Sequence, residues 1–101
     1  MARLSARGRT ELVRLQKTVE AGATNNLSAA GVTKEQYTVA LMSDGRALKK
    51  TVTWFAPGPF DNGKAWRKDY GWKDMGKVKD ETTPETFAAH FERRGYRKEV
   101  A

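Results

Sequence analysis

The side chains best suited to chemistry in this chain lie between Trp54 and Lys77, in the run WFAPGPFDNGKAWRKDYGWKDMGK. All three tryptophans fall there, interleaved with Lys64, Arg67, Lys68, Lys73 and Lys77. Flat aromatic faces beside cations are what a nucleic-acid strand stacks on and neutralises its phosphates against. The same residue types also fill the cores of small domains, because Trp and Tyr bury much apolar area per side chain. Whether Trp66, Tyr70 and Trp72 are exposed beside the cations therefore decides between a binding surface and a core.

Other constellations carry less. Residues 58–65, GPFDNGKA, fit a phosphate-binding loop at all but one position. Ala65 stands where a Ser or Thr hydroxyl must hold magnesium, which removes nucleotide hydrolysis. His90 is the lone histidine and there is no cysteine, so no thiolate metal site or disulfide can form. His90 reads as a surface or boundary residue of a helix. Asp61, Asp69 and Asp74 would make a hydrolytic or magnesium-binding pair only if a turn brought two together. Each sits beside lysines or turn residues, where solvated acids are ordinary. Ser5, Ser28 and Ser43 lie in no nucleophile-elbow context. The expectation is a protein that is not an enzyme and uses no cofactor or metal.

The alternate aromatics of Lys68–Met75 resemble the aromatic strand of an RNA-recognition motif. Asp69 replaces the glycine of that strand and Lys73 an apolar residue, so no family is assigned.

A formal charge of +7 arises from 19 basic and 12 acidic residues. On a single domain of 101 residues it implies attraction to polyanions: nucleic acid, anionic lipid or an acidic protein surface. Charged residues make up 31% of the chain, above the usual ~25%. The apolar runs fall far short of the ~20 residues a membrane span needs. MARLSARGRTELVR carries cations but no apolar core of a secretory signal. A cytoplasmic location follows as the expectation, with neither a membrane nor a small-molecule substrate as partner. Monomer and homodimer remain equally open.

The elements that must position these residues are read from periodicity. Residues 1–9, with Arg3, Arg7 and Arg9, read as a flexible basic arm, and residues 10–101 as one α+β domain. Thr10 is a helix N-cap type, and Leu12, Leu15 and Val19 recur at helical spacing, so a helix is expected up to Gly22. Residues 37–55 predict a β-hairpin with Asp44-Gly45 as the two central residues of a type I′ turn. That register pairs Leu41 with Leu48 and gathers Tyr37, Val39, Leu41, Leu48, Val52 and Trp54 on one face. Lys50 is then a misfit on the apolar face, read as an edge gatekeeper or a snorkelling side chain.

A third strand is expected within 66–78, with Trp66, Lys68, Tyr70 and Trp72 sharing a face. Gly71 and Gly76 mark bulges or an edge position. Thr83-Pro84-Glu85 opens a C-terminal helix with Phe87, Ala88 and Phe91 as its stripe. Gly95 closes it, with Tyr96 placed against Phe91. The expected fold is an antiparallel three-stranded sheet packed by an N-terminal and a C-terminal helix, in the order αβββα.

Two functions are carried forward. The first is a low-specificity nucleic-acid-binding module. Arg3, Arg7, Arg9, Lys64, Arg67, Lys68, Lys73, Arg93, Arg94, Arg97 and Lys98 would contact phosphates, and Trp66 and Tyr70 would stack on bases. It requires the three basic segments to share one face. The alternative is a protein-binding adaptor or stoichiometric inhibitor that docks on an acidic surface of a larger enzyme or nucleoprotein, as small phage or mobile-element proteins do.

Overall fold

The computed structural model describes residues 5–6, 9–21, 31–57 and 65–98. The chain is mostly β, and the expected αβββα order is overturned. A short strand β1 (Ser5–Ala6) precedes β2 (Arg9–Glu20), β3 (Val32–Met42), β4 (Arg46–Phe55) and β5 (Trp66–Lys77). The helix α1 (Pro84–Glu92) and a two-residue strand β6 (Arg97–Lys98) follow. The strands form one antiparallel sheet in the order β1-β2-β3-β4-β5, with β6 pairing on β2.

The largest correction is β2, where a helix was expected. Leu12, Leu15 and Val19 fit a 3.6-residue period, but Val13, Leu15, Lys17 and Val19 fit a two-residue period just as well. Leu12, a member of the expected helical stripe, is 43% exposed. The β-branched Val13, Thr18 and Val19 favour a pleated surface. Pairing decides the matter, because β2 runs along nearly all of β3, with Val13 opposite Leu41, Leu15 opposite Val39 and Lys17 opposite Tyr37.

The hairpin β3–β4 is present, but one residue out of the expected register. The Gly45 N–H donates to the Met42 carbonyl at 3.0 Å, and Gly45 has φ +84°. Strand pairing ends at Met42 and resumes at Arg46, so the loop has three residues, the length at which a type I turn is followed by a left-handed glycine. Leu41 consequently faces Ala47, and Leu48 faces Ala40. A one-residue shift moves every β4 side chain to the opposite face. Tyr37, Val39 and Leu41 thus share a face with Ala47, Lys49 and Thr51, while Leu48, Lys50 and Val52 lie behind with Ala40 and Met42.

The core sits on the first of these faces. Leu15, Val39, Leu41, Phe87 and Ala88 are buried together, with Val13, Ala47, Val78, Phe91 and Tyr96 packed around them. Burying a side chain such as Phe87 contributes roughly 1.5–3 kcal/mol. The helix forms where its local signals place it. Thr83 caps it, accepting from the Thr86 N–H at 3.2 Å, while the Thr86 hydroxyl accepts from the Thr83 N–H. Gly95 adopts φ +91° beyond the last turn, and the Tyr96 N–H returns to the Phe91 carbonyl. The Phe91 and Tyr96 rings meet edge-on at 5.1 Å, as the sequence leads one to expect.

On the second face Ala40, Met42 and Leu48 are buried under Trp72. Lys50 belongs here. Its strand is interior, so it guards no edge; its ammonium lies 5.3 Å from the Trp72 ring and 3.7 Å from Asp69. Among the described residues, no helix is long and apolar enough to cross a membrane.

Candidate functional site

β5 forms one margin of the sheet and fulfils both expectations for its glycines, since it is an edge and carries two bulges. Pairing with β4 slips by one residue between Asp69 and Trp72, and again between Asp74 and Lys77. Gly71 (φ +75°) and Gly76 (φ +98°) sit at these slips in the left-handed region that β-carbon sterics deny most residues. Each is fixed by the same local device. The Gly71 N–H donates to Asp69 Oδ1, and the Gly76 N–H to Asp74 Oδ1, both at 2.8 Å. Asp-Tyr-Gly and Asp-Met-Gly are thus two copies of one bulge, and the middle residues Tyr70 and Met75 are 57% and 59% exposed.

The first bulge divides the strand's aromatics. Lys68 opposes Thr53 and Trp66 opposes Phe55, on the helix-bearing face of the sheet, and Tyr70 lies on that face beside Thr51. Past the extra residue, Trp72 opposes Lys50 and points to the second face, which corrects the expected four-residue stripe. The three aromatics have different fates. Trp66 is 44% exposed and stacks on Phe55 at 3.9 Å, with the rings 9° from parallel. Tyr70 is exposed with the Lys68 ammonium 5.0 Å from its ring. Trp72 is half-buried, with Arg14 and Lys50 each 5.3 Å from its ring centre, so its faces serve the fold.

The acids of β5 are segregated in the same way. Asp69 and Asp74 oppose Val52 and Leu48 on the second face, where they approach Lys50 (3.7 Å) and Arg46 (3.6 Å). Glu11 is buried there against Arg14, accepting from Nη2 at 2.7 Å and Nε at 2.9 Å. On the helix-bearing face, Lys49, Lys68 and Lys73 make no ion pair with any described acid. Helix α1 packs on β2 at the far side of that face, which leaves Lys68 and Lys73 exposed and Lys49 half-buried beside Tyr37. Lys49, Thr51, Tyr70, Gly71, Lys73 and Met75 line a groove of about 260 Å³ between β4 and β5.

The expected site residues fall into separate groups. Trp66, Lys68, Tyr70 and Lys73 come together on one face. Arg67 lies on the same strand but opposes Trp54, on the other face. Arg97 and Lys98 form β6, which pairs on the outer side of β2, across the sheet from β5. Arg93 and Arg94 close the helix, and Arg94 Nη1 donates to the His90 carbonyl at 2.9 Å. Arg9 lies in β2, while Arg3, Arg7 and Lys64 are outside the described residues.

Lys49 was not among the expected residues. It joins the site because the hairpin register turns it to the helix-bearing face, where the β4–β5 pairing sets it opposite Lys73. The signal that would have found it is the glycine-terminated three-residue loop. His90 is exposed, its ring edge-on to Phe91.

No protein-family model, no curated protein and no solved structure matches this chain.

Proposed function

We propose that the protein is a cytoplasmic, non-enzymatic module that binds nucleic acid with little sequence specificity. The observation that carries this reading is the outer half of the helix-bearing face, where Lys49, Lys68 and Lys73 flank exposed Tyr70 and Trp66 and form no ion pair with a described acid, Glu35 of that face being hydrogen-bonded to Tyr37 and Thr53. Lysines as point charges suit phosphate, and aromatic faces accept any base. Among the described residues no helix presents Asn, Gln and Arg together for reading base edges, so specificity is expected to be low.

The test is a titration of labelled single- and double-stranded DNA and RNA at two salt concentrations, followed by anisotropy and tryptophan emission. Micromolar binding that weakens steeply with salt is the expected result. Lys68→Ala should weaken it for all sequences and reduce the salt slope by about one. Arg67→Ala, on the opposite face, should change it less. Absence of binding at low salt would reject the reading, since a +7 chain then has every electrostatic advantage.

The alternative, a protein-binding adaptor or inhibitor, draws on a different surface. An apolar groove of about 510 Å³ runs between the helix and the end of β5, lined by Ala47, Val78, Thr82, Phe87, His90 and Phe91. Such a groove suits an aliphatic or aromatic anchor from a protein partner.

A further inference from the structure

We propose that the groove at the Gly71 bulge is a one-nucleotide subsite, with a base on Tyr70 and its phosphate between Lys49 and Lys73. The partner is then a single-stranded polynucleotide and not a duplex. This rests on the nucleic-acid reading above and makes it specific.

The argument begins with the lysine pair. Lys49 and Lys73 are direct cross-strand partners on one face, an arrangement that repulsion makes unfavourable. The Lys49 ammonium lies 5.2 Å from the Tyr37 ring, and no described acid pairs with either lysine. An anion seated between them relieves the repulsion and gains two charge-assisted contacts. The nearest acid of the bulge is held elsewhere. Asp69 accepts from the Gly71 N–H and approaches Lys50 on the opposite face, which keeps its charge out of the groove.

The bulge supplies the second half of the site. It leaves Tyr70 at the groove wall with more than half its surface open, beside the Thr51 hydroxyl side chain. At about 260 Å³ the groove falls below the ~300–1,000 Å³ of ordinary ligand pockets, a size for one base and its phosphate.

Geometry then selects the strandedness. A paired base has both faces stacked within its helix, so only an unpaired base can lie on a tyrosine ring. Trp66 offers a second platform four residues from Tyr70 along β5, about 13 Å at ~3.3 Å per residue. Stacked bases advance ~3.4 Å, so the two rings lie about four stacked steps apart and a strand touching both carries further nucleotides between them. Lys68 lies between the two rings on the same face, within reach of a phosphate of the intervening nucleotides.

The experiment compares four ligands of equal length: oligothymidine, oligouridine, an abasic strand with the same phosphates, and a duplex. A length of about 12 nucleotides lies within the range that one small domain covers. Either homopolymer should bind about tenfold tighter than the abasic strand and the duplex, with preference between the two reporting the 2′-hydroxyl and the thymine methyl group together. Tyr70→Ala should erase most of that preference and leave affinity for the abasic strand unchanged, whereas Tyr70→Phe should retain it. Lys49→Ala should weaken every single strand, although it lies on a different element from Lys68. Urea midpoints of each variant, compared with wild type, confirm that the fold persists. Equal affinity for homopolymer, abasic strand and duplex overturns the subsite while leaving nucleic-acid binding in place. No binding of any polymer at low salt overturns both.

Discussion

Burial raises the Tyr37 phenol above its ordinary value, and the adjacent Glu35 carboxylate, which accepts its hydrogen bond, raises it further. Burial raises Tyr96 as well. An unfolded tyrosine loses its proton near pH ~10, whereas Tyr37 in the folded chain holds it longer. Stability from this group is therefore fully present below pH ~10 and declines as pH rises from there towards the folded pKa. Tyr37→Phe removes that decline and leaves the contribution of Tyr96. The urea midpoint of wild type should fall more between pH 8 and about 11 than that of Tyr37→Phe. Equal losses would place Tyr37 in water. Lys50 makes a second point at this scale. As a sequence position it is a charge in an apolar pattern; in the fold it is a cation with both an aromatic face and a carboxylate within reach.

At the scale of elements, β5 is shaped by its two Asp-x-Gly bulges. A β-carbon built on Gly71 meets no heavy atom within 4 Å, so substitution there is opposed by backbone conformation alone. Gly71→Ala should destabilise by ~1–2 kcal/mol, the usual cost of a left-handed alanine. Gly71→Asn should cost less, because asparagine visits that region more readily. Chemical denaturation of the two variants measures both. A loss well above that range would mean the position is crowded, and no loss would mean the bulge is absent. The bulges were legible as glycines that weaken a strand. Their consequence was not, since reversing the facing of Trp72 depends on which β4 residue each half of β5 pairs with. The helix was legible almost to the residue, because Thr83, Pro84, Glu85 and Gly95 act within one turn of themselves.

Across the whole molecule, the two margins of the sheet differ. β2 has β1 and β6 on its outer side, whereas no strand among the described residues pairs beyond β5. A lysine-bearing, twice-bulged edge resists strand addition, which leaves its side chains to serve as the contact surface. The C-terminal cations stand on the other margin. From β6 to β5 is four strand spacings, about 19 Å along the sheet. That exceeds the screening length of ~8 Å at 0.15 M salt but not the ~30 Å at 0.01 M. Replacing Arg97 and Lys98 by Ala should therefore change nucleic-acid affinity less than about twofold at the higher salt and visibly more at the lower. A large loss at 0.15 M would bring the C-terminal residues into the interface itself.

Taken alone, the amino-acid sequence determined what depends on neighbours a few residues away. The capped helix, the Asp-Gly reversal between β3 and β4, the glycine bulges of the third expected strand and the concentration of cations around Trp66–Lys77 are all of this kind. Capping, turn formation and net charge require no distant partner. Tertiary structure alone decided whether residues 9–20 became helix or strand, because Leu15 and Val19 satisfy both periods and only the long pairing with β3 distinguishes them. It also decided which side chains share a face. A single residue in the hairpin loop and one more at Gly71 each invert the pleat, so Lys49 reached the candidate site and Trp72 left it.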